Sequence, residues 1–442
     1  MKSKQLMTPQ PALRRDRLMR GHAAPVSGAP VTEGAGASRP PLLSGALSDR
    51  ALHLAGALIE TVRPAPAAGH PDASLASGSA GLAVCGAQLA CTRSDQGAAI
   101  AARTRLDQAI DVMAAEPLRS SFYSGFTGIA WAADLVDGLL GPDGEDRNAD
   151  VDQALTALLE RYPETGPYDL INGLTGLGVY ALARWPRPSA TQCLLGVVEQ
   201  LGRQARHDRD GVSWWTPPSW FGPQRDWYQP GRVDLGVAHG IAGVIPFLAR
   251  VHRLGLARQT VRPLLDGAVS WLLAHLVDTP SGPNVPFFVA DGVEPGPARS
   301  AWCYGDPGVA AALLLAARDV GEPDWAAIAT GLAVRAAARP PDHARVVDAG
   351  LCHGSAGLAH LFNRMYQMTA ESALADAARF WVERTLDLCS TDHGQPAWKG
   401  PGLLEGAAGV ALALLAASTT VRPAWDQMLL VSTTGIPGVQ AR

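Results

Sequence analysis

Charged residues, lysine and apolar runs of membrane length are all scarce in this chain of 442 residues. Charged residues make up 18% and the net charge is −4, which argues against general nucleic-acid binding. The only lysines are Lys2, Lys4 and Lys399, and we interpret this shortage as genome composition rather than function. No run reaches the ~18 apolar residues of a membrane span, so a membrane-embedded protein is excluded.

Cysteine is also sparse, and the spacing of the six cysteines does not suggest a disulfide framework. They are spread over some three hundred residues, which is typical of a protein in a reducing cytosol. Several arginines lie near the N-terminus, but no apolar segment follows them, so the sequence predicts no secretory signal. We therefore expect a cytoplasmic protein.

The composition divides the chain into three parts. Residues 1–45 are rich in proline, glycine, alanine and serine, and we expect them to be disordered, as a dispensable tail rather than a partner-binding arm. Residues 46–430 form the predicted folded domain, and residues 431–442 a C-terminal tail. Hydrophobic residues make up 47% of the sequence, which is enough for a large core.

A Gly-x-x-Gly motif occurs in seven copies, each at the start of an apolar helical pattern. Its first glycines are Gly78, Gly125, Gly173, Gly240, Gly305, Gly354 and Gly406, at intervals of 47, 48, 67, 65, 49 and 52 residues. Such a period indicates a repeat architecture. Any insertion must lie in the two longer intervals.

Each repeat is predicted to contain two helices. The first follows the glycines and is small and apolar, as suits a crowded interior; the second is longer and carries more charge, as suits an outer layer. Helix pairs either stack as an open solenoid or close into a ring. Because no polar capping repeat is evident, we predict an all-α fold, an α/α toroid of seven inner and seven outer helices.

Reactive side chains precede the glycines in the middle copies. Cys303 and the adjacent pair Cys352 and His353 offer two thiolates and one imidazole, which can hold a zinc ion and leave its fourth position free. Adjacent residues diverge around a helix, so this pair must chelate from the turn before one. If all inner helices begin at one end of the ring, these residues meet there. The sequence thus predicts a catalytic zinc at a loop–helix junction.

The ordered motifs DLGVAHGIAG, RSAWCYGDPG and LCHGSAGLAH, set in seven repeats over roughly residues 46–425, resemble those of the lanthionine synthetase C-like family, the lanthipeptide cyclases. The resemblance implies an α/α toroid with a central zinc. It also implies Michael-type addition of a cysteine thiol to dehydroalanine or dehydrobutyrine, which forms (methyl)lanthionine thioether rings in a ribosomally made precursor peptide.

The resemblance also assigns residues. Cys303, Cys352 and His353 match the zinc ligands; His239 matches the acid/base histidine, and Asp169 the aspartate near it. Arg299 and Tyr304 match further active-site positions. Zinc deprotonates a bound thiol, a histidine can move a proton near neutral pH, an aspartate can fix its tautomer, and an arginine can stabilise enolate charge.

Three functions remain open at this point. A stand-alone cyclase needs a separate dehydratase to supply its dehydrated precursor peptide, and could work in a membrane-associated synthetase complex. A family member could instead add a small thiol such as glutathione to dehydrated residues. A third possibility is a non-catalytic, zinc-stapled scaffold that binds peptides. The Trp-rich segment 214–228 is either a peptide-binding rim or, as we favour, a packed loop.

Overall fold

A computed structural model describes residues 40–61, 72–142, 146–221, 231–279, 282–390 and 397–432. The predicted disordered segment and C-terminal tail lie almost entirely outside these ranges. Within them, no helix combines the length and apolar character needed to cross a bilayer.

Helices dominate the described chain. In order they are α1 (Gly45–Thr61), α2 (Ser79–Arg93), α3 (Gln96–Ala115), α4 (Phe126–Leu140), α5 (Ala149–Leu159), α6 (Leu174–Arg184), α7 (Pro188–Gln204), α8 (Ile241–Arg253), α9 (Arg258–Ala274), α10 (Asp306–Val320), α11 (Pro323–Ala337), α12 (Pro341–Ala344), α13 (Ser355–Thr369), α14 (Ser372–Ser390) and α15 (Ala407–Ser418). Within the described residues, two 3₁₀ helices span Pro218–Phe221 and Ala424–Leu429.

Short strands occupy the two longer intervals between glycine motifs. They are β1 (Arg206–Asp208), β2 (Gly211–Ser213), β3 (Val233–Asp234), β4 (Val277–Thr279), β5 (Gly282–Asn284) and β6 (Phe288–Val289). They form three antiparallel pairs, β1 with β2, β3 with β6 and β4 with β5. The additional length of these intervals is therefore used for small hairpins and loops around the helical ring.

The seven helices that follow the glycine motifs form a closed inner ring. In sequence order α2, α4, α6, α8, α10, α13 and α15 each pack against the next, and α15 returns to α2. Every residue of α15 is buried, whereas α3 in the outer layer buries only Ala102, Leu106 and Ala109. Small residues suit the inner positions because helix axes approach closely there. The predicted toroid is confirmed.

The outer layer closes in a way that the order of the repeats does not indicate. Six inner helices pack against the outer helix that follows them, but α15 packs against α1, which comes from the opposite end of the chain. The backbone N–H of Leu43 also donates to the carbonyl of Ala417 at 3.0 Å. The seventh outer helix is thus supplied by the N-terminal side, and the two ends of the domain form one helix pair.

The glycine pairs are required by the loops that lead into the inner helices. These mouth loops are residues 72–78, 119–125, 167–173, 234–240, 299–305, 348–354 and 400–406. Each folds back over the first turn of its helix. A Cβ atom on Gly125 would overlap the carbonyl oxygen of Arg119, and one on Gly128 would overlap that of Phe122. The motif therefore marks close backbone approach rather than the presence of a ligand.

A closed circle of backbone hydrogen bonds joins the mouth loops. Its members stand two residues before the first glycine of each copy: Ala76, Tyr123, Ile171, Ala238, Cys303, Cys352 and Leu404. Each N–H donates to the carbonyl of the next member, and Leu404 donates back to Ala76, with distances from 2.8 to 3.5 Å. The seven loops are consequently held in one register at one end of the ring.

The C-terminal segment 424–432 lies inside the ring. Tyr123 donates its hydroxyl proton to the carbonyl of Met428 at 2.7 Å, and Trp302 donates its indole N–H to the carbonyl of Leu429 at 2.9 Å. Because these two donors belong to mouth loops that are not neighbours, the acceptors must lie between them. The interior is filled by the chain itself beneath the mouth.

Candidate metal centre and active site

Cys303, Cys352 and His353 come together at the mouth. Their sulfur and nitrogen ligand atoms lie within 4.8 Å of one another. Cys303 and Cys352 are neighbours in the backbone circle, since the N–H of Cys303 donates to the carbonyl of Cys352 at 3.3 Å. This spacing is near that of ligand atoms around a single zinc ion, whose bonds to sulfur and nitrogen are about 2.0–2.3 Å long, so small side-chain shifts suffice to bind one.

The protonation of the three side chains fits a divalent cation. The hydrogen bond from Cys352 lowers the pKa of Cys303 to about 5, against the opposing effect of burial and with help from His353 and Arg299. The same bond, with burial, raises the pKa of Cys352 well above its usual range. Asp348 and Cys303 raise the pKa of His353 to about 9. The protons shared by these side chains thus supply positive charge between the sulfur and nitrogen atoms. A soft divalent cation would supply the same charge and bind the same atoms.

His239 and Asp169 form the second feature of the mouth. His239 Nδ1 lies 2.9 Å from Asp169 Oδ2, and the Asp169 side chain is only 3% exposed whereas that of His239 is 40% exposed. Asp169 Oδ1 accepts the backbone N–H of Asn172 at 2.6 Å, which fixes the carboxylate. The second ring nitrogen of His239, Nε2, therefore remains for a ligand at the mouth.

The pKa of His239 is raised above its usual range. Burial acts to lower it, but the hydrogen bond to Asp169 and the charges of Asp169, Asp234 and Cys303 outweigh burial. The N–H of Ala238, the residue before His239, donates to the carbonyl of Cys303 at 3.3 Å, so the histidine lies near that cysteine as well as Asp169. These surroundings favour the protonated form of His239.

Tyr304 lies beside His239, with an angle of 29° between the two ring planes and the centroids 6.5 Å apart. Its hydroxyl donates to Asp234 Oδ1 at 3.2 Å, and Arg232 Nε lies 2.9 Å from the same oxygen. Burial and the charge of Asp234 raise the pKa of Tyr304 well above its usual range. The proton of Tyr304 is thus engaged by Asp234, and Gly236 leaves room for the tyrosine ring.

Arg299 is half-buried, and its positive charge helps to lower the pKa values of both Cys303 and Cys352. All seven residues that the sequence singled out therefore lie at the same end of the ring. The roles assigned to them stay proposals.

Four polar residues of the site were given no role by the sequence analysis: Asp348, Asp234, Arg232 and Glu405. Asp348 Oδ2 lies 3.3 Å from His353 Nε2, and Glu405 Oε1 lies 3.9 Å from His353 Nδ1. A signal for two of them was present. Asp234 and Asp348 stand six residues before the first glycine of their copies, as Arg299 does. Superposing the copies on that position would have revealed both.

The remaining thiols have surroundings unlike those of the pair. Burial raises the pKa values of Cys85, Cys193 and Cys389 to about 12 and also raises that of Cys91. At Cys85 the charge of Arg105 opposes this rise but does not outweigh burial.

The Trp-rich segment is packed where it is described. Trp214 is fully buried and donates its indole N–H to the carbonyl of Leu201 at 2.9 Å, while its ring tilts against Tyr168. This supports the packed loop over the peptide-binding rim for Trp214. Trp227 and Tyr228 lie outside the described residues.

Two comparisons with known proteins agree with this architecture. The family model described as "Lanthionine synthetase C-like protein" matches residues 70–430. A solved structure of nisin cyclase is similar to this chain with a TM-score of 0.69 and 19% sequence identity, over 87% of this chain and 97% of that one. At this identity the structural likeness establishes a shared fold.

Proposed function

The chain belongs to the lanthionine synthetase C-like family, and we propose that it is a zinc-dependent peptide cyclase. In this proposal it adds cysteine thiols to dehydroalanine or dehydrobutyrine within a ribosomally made precursor peptide. The proposal rests on two groups of residues that lie together at one mouth. Cys303, Cys352 and His353 form a donor set for a metal ion. His239 is hydrogen-bonded to Asp169 through Nδ1.

Zinc, when bound by these three residues, would supply deprotonation of the substrate thiol at neutral pH. The remaining chemistry belongs to the chain. In a Michael-type addition the sulfur bonds to the β-carbon, the carbon–carbon double bond becomes an enolate, and the α-carbon then takes a proton. His239, protonated at Nε2, is suited to donate that proton, and the proton lost by the thiol restores it.

The neighbours of His239 determine how it can act. Asp169 at Nδ1 fixes the tautomer and stabilises the imidazolium. Arg299 places positive charge near the two sulfurs, where it would also offset developing enolate charge. Tyr304 packs beside His239. Its hydroxyl is hydrogen-bonded to Asp234, which in turn pairs with Arg232. Tyr304 is therefore better suited to orient the substrate than to transfer a proton.

The partners follow from the chemistry. The substrate must reach the mouth already dehydrated, so we propose that a separate dehydratase acts before this chain. Such an enzyme pair would work in the cytoplasm, where reducing conditions keep the substrate cysteines free.

A synthetic peptide that contains one dehydroalanine and one cysteine tests the proposal. Ring closure leaves the mass unchanged but removes the free thiol, so alkylation followed by mass spectrometry counts the product. We expect the zinc-loaded protein to consume the thiol much faster than buffer, and Cys352→Ala to lose both zinc and this rate. A rate equal to that in buffer would reject the cyclase.

The same assay separates the small-thiol alternative. With glutathione present in excess, addition to the dehydroalanine raises the peptide mass and leaves the peptide cysteine free. A cyclase gives the ring as the main product, whereas a small-thiol transferase gives the adduct. Zinc bound without either product would indicate the scaffold.

A further inference from the structure

We propose that Asp348 positions the third metal donor: its carboxylate holds His353 through Nε2, so that Nδ1 is the nitrogen presented to the cation. This inference rests on the proposed zinc site and adds to it a residue and a choice of ring nitrogen. Asp348 does not touch the reacting atoms, so it is a positioning residue.

The placement of Asp348 is fixed from several sides. Its Oδ2 lies 3.3 Å from His353 Nε2, while its Oδ1 accepts the backbone N–H of Gly350 at 2.9 Å. Its own carbonyl accepts the N–H of Ser355, the first residue of α13, at 2.9 Å. A Cβ atom on Gly354 would overlap the Asp348 carboxylate, so the glycine is needed to accommodate it.

The other carboxylate near His353 is less suited to orient the ring. Glu405 Oε1 is 3.9 Å from Nδ1, its side chain is 41% exposed, and its second oxygen pairs with Lys399 at 3.0 Å. Asp348 is closer and only 22% exposed. Of the two ring nitrogens, Nε2 is therefore the one that a fixed carboxylate engages, and Nδ1 is the one left for a metal.

The same use of this loop position recurs elsewhere in the ring. In the first mouth loop Asp72 accepts the hydroxyl proton of Ser77 at 2.6 Å. Asp234 at the equivalent place accepts that of Tyr304. The contact of Asp348 with His353 is the third such case. In each, an aspartate six residues before the first glycine of its copy contacts a residue that comes just before an inner helix. The fold thus offers this position for anchoring side chains at the mouth.

The physical consequence concerns the tautomer. A carboxylate at Nε2 keeps the proton there and leaves the Nδ1 lone pair free. The imidazole therefore has the required tautomer and orientation before the metal binds. An asparagine at 348 has a single carbonyl oxygen for two donors. If that oxygen stays with Gly350, the amide N–H groups face Nε2 and favour the wrong tautomer.

The experiment measures zinc affinity by competition with a chromophoric chelator. The variants are Asp348→Asn and Asp348→Ala, with Asp376→Asn, at an exposed aspartate away from the mouth, as the control. Removing such an outer carboxylate typically weakens metal binding by about 10–100-fold. We expect that loss in both Asp348 variants and near wild-type affinity in Asp376→Asn, with circular dichroism showing an intact helical fold in each.

A second measurement is made on the wild-type protein and does not depend on the folding of the Asp348 variants. Nitrogen-15 shifts of the His353 imidazole in the zinc-loaded wild-type protein, assigned with His353→Asn, report which nitrogen carries the proton. A proton on Nε2 supports the proposal, and a proton on Nδ1 overturns it. Equal zinc affinity in wild type and a folded Asp348→Asn also overturns it. If the wild-type protein binds no zinc, it is the proposed metal centre that fails.

Discussion

The carboxylate of Asp169 lies 2.9 Å from Nδ1 of His239, although 70 residues separate them in sequence. The backbone circle explains how the pair is held: the N–H of Ile171 donates to the carbonyl of Ala238 at 3.3 Å, which joins the loops of both residues. The side-chain contact is thus built on a backbone contact, and it gives the histidine a defined tautomer before any substrate arrives.

Replacing His239 by asparagine should stop cyclisation without removing the metal. The histidine shares no hydrogen bond with the zinc donors, so we expect stoichiometric zinc and a normal melting curve. The rate of thiol loss from the model peptide should fall by about 10²–10⁴-fold, the usual contribution of a general acid or base. Cyclisation at the wild-type rate would make His239 a structural residue.

Replacing Asp169 by asparagine should change the pH dependence of stability. The pKa of His239 is raised in the folded protein, so protonated His239 contributes stability that is fully present below its unfolded value of about 6.5. This contribution is lost as pH rises through the folded pKa. The melting temperature of Asp169→Asn should therefore fall further below wild type at pH 6 than at pH 9, whereas the exposed control Asp376→Asn should not show this pattern. An equal deficit at both pH values would contradict it.

Tyr304→Phe and Asp234→Ala should not be additive. Each removes one partner of the same 3.2 Å hydrogen bond, so each should lower kcat/KM by a similar factor, and the double variant should lose little more. The effect of either should be smaller than that of His239→Asn, because the tyrosine proton is engaged by Asp234. Full additivity in the cycle would show that Asp234 does not act through Tyr304.

Removing the metal should expose one reactive thiol. With the pKa of Cys303 lowered to about 5, the pair with Cys352 carries a thiolate at pH 7. Brief alkylation of chelator-treated protein should modify this pair first, while Cys85 and Cys193, whose pKa values burial raises to about 12, stay unmodified. Zinc should slow the modification of the pair. Equal labelling with and without zinc would argue against binding at these sulfurs.

Asp426 should matter for stability rather than for chemistry. It is fully buried in the segment inside the ring, with His360 Nε2 at 3.2 Å and Arg364 Nε at 2.9 Å from its Oδ2. Asp426→Ala leaves buried charge without its partner, which typically costs about 3–5 kcal/mol. Urea unfolding measures this loss, and Asp376→Ala, which breaks an exposed pair, should change little. A loss below ~1 kcal/mol would mean that the cluster relaxes without Asp426.

The ring could be predicted from the sequence because its cause is local and repeated. Each Gly-x-x-Gly marks a place where a loop touches the first turn of a helix, and that contact needs glycine wherever it occurs, as at Gly125 and Gly128. Counting these places gives the inner helices and brings Cys303, Cys352 and His239 to one end.

What the sequence did not indicate depends on contacts between copies. The sequence of α1 does not indicate that this helix completes the seventh pair, because α1 is one more amphipathic helix. Asp234 bonds to a tyrosine in the next copy, so neither residue signals the other locally. Asp348 contacts a histidine five residues away, yet only the folded loop turns the two side chains toward each other.

The pairing of α1 with α15 also affects the order of folding during synthesis. The ribosome adds residues 62–406 between the two helices, so at about 5–20 residues per second α1 waits roughly 20–70 s for its partner. The circle of mouth loops has the same requirement, because Cys352 donates to Leu404 and Leu404 to Ala76. The site around the cysteine pair is therefore completed only after α15 and the loop before it have been made.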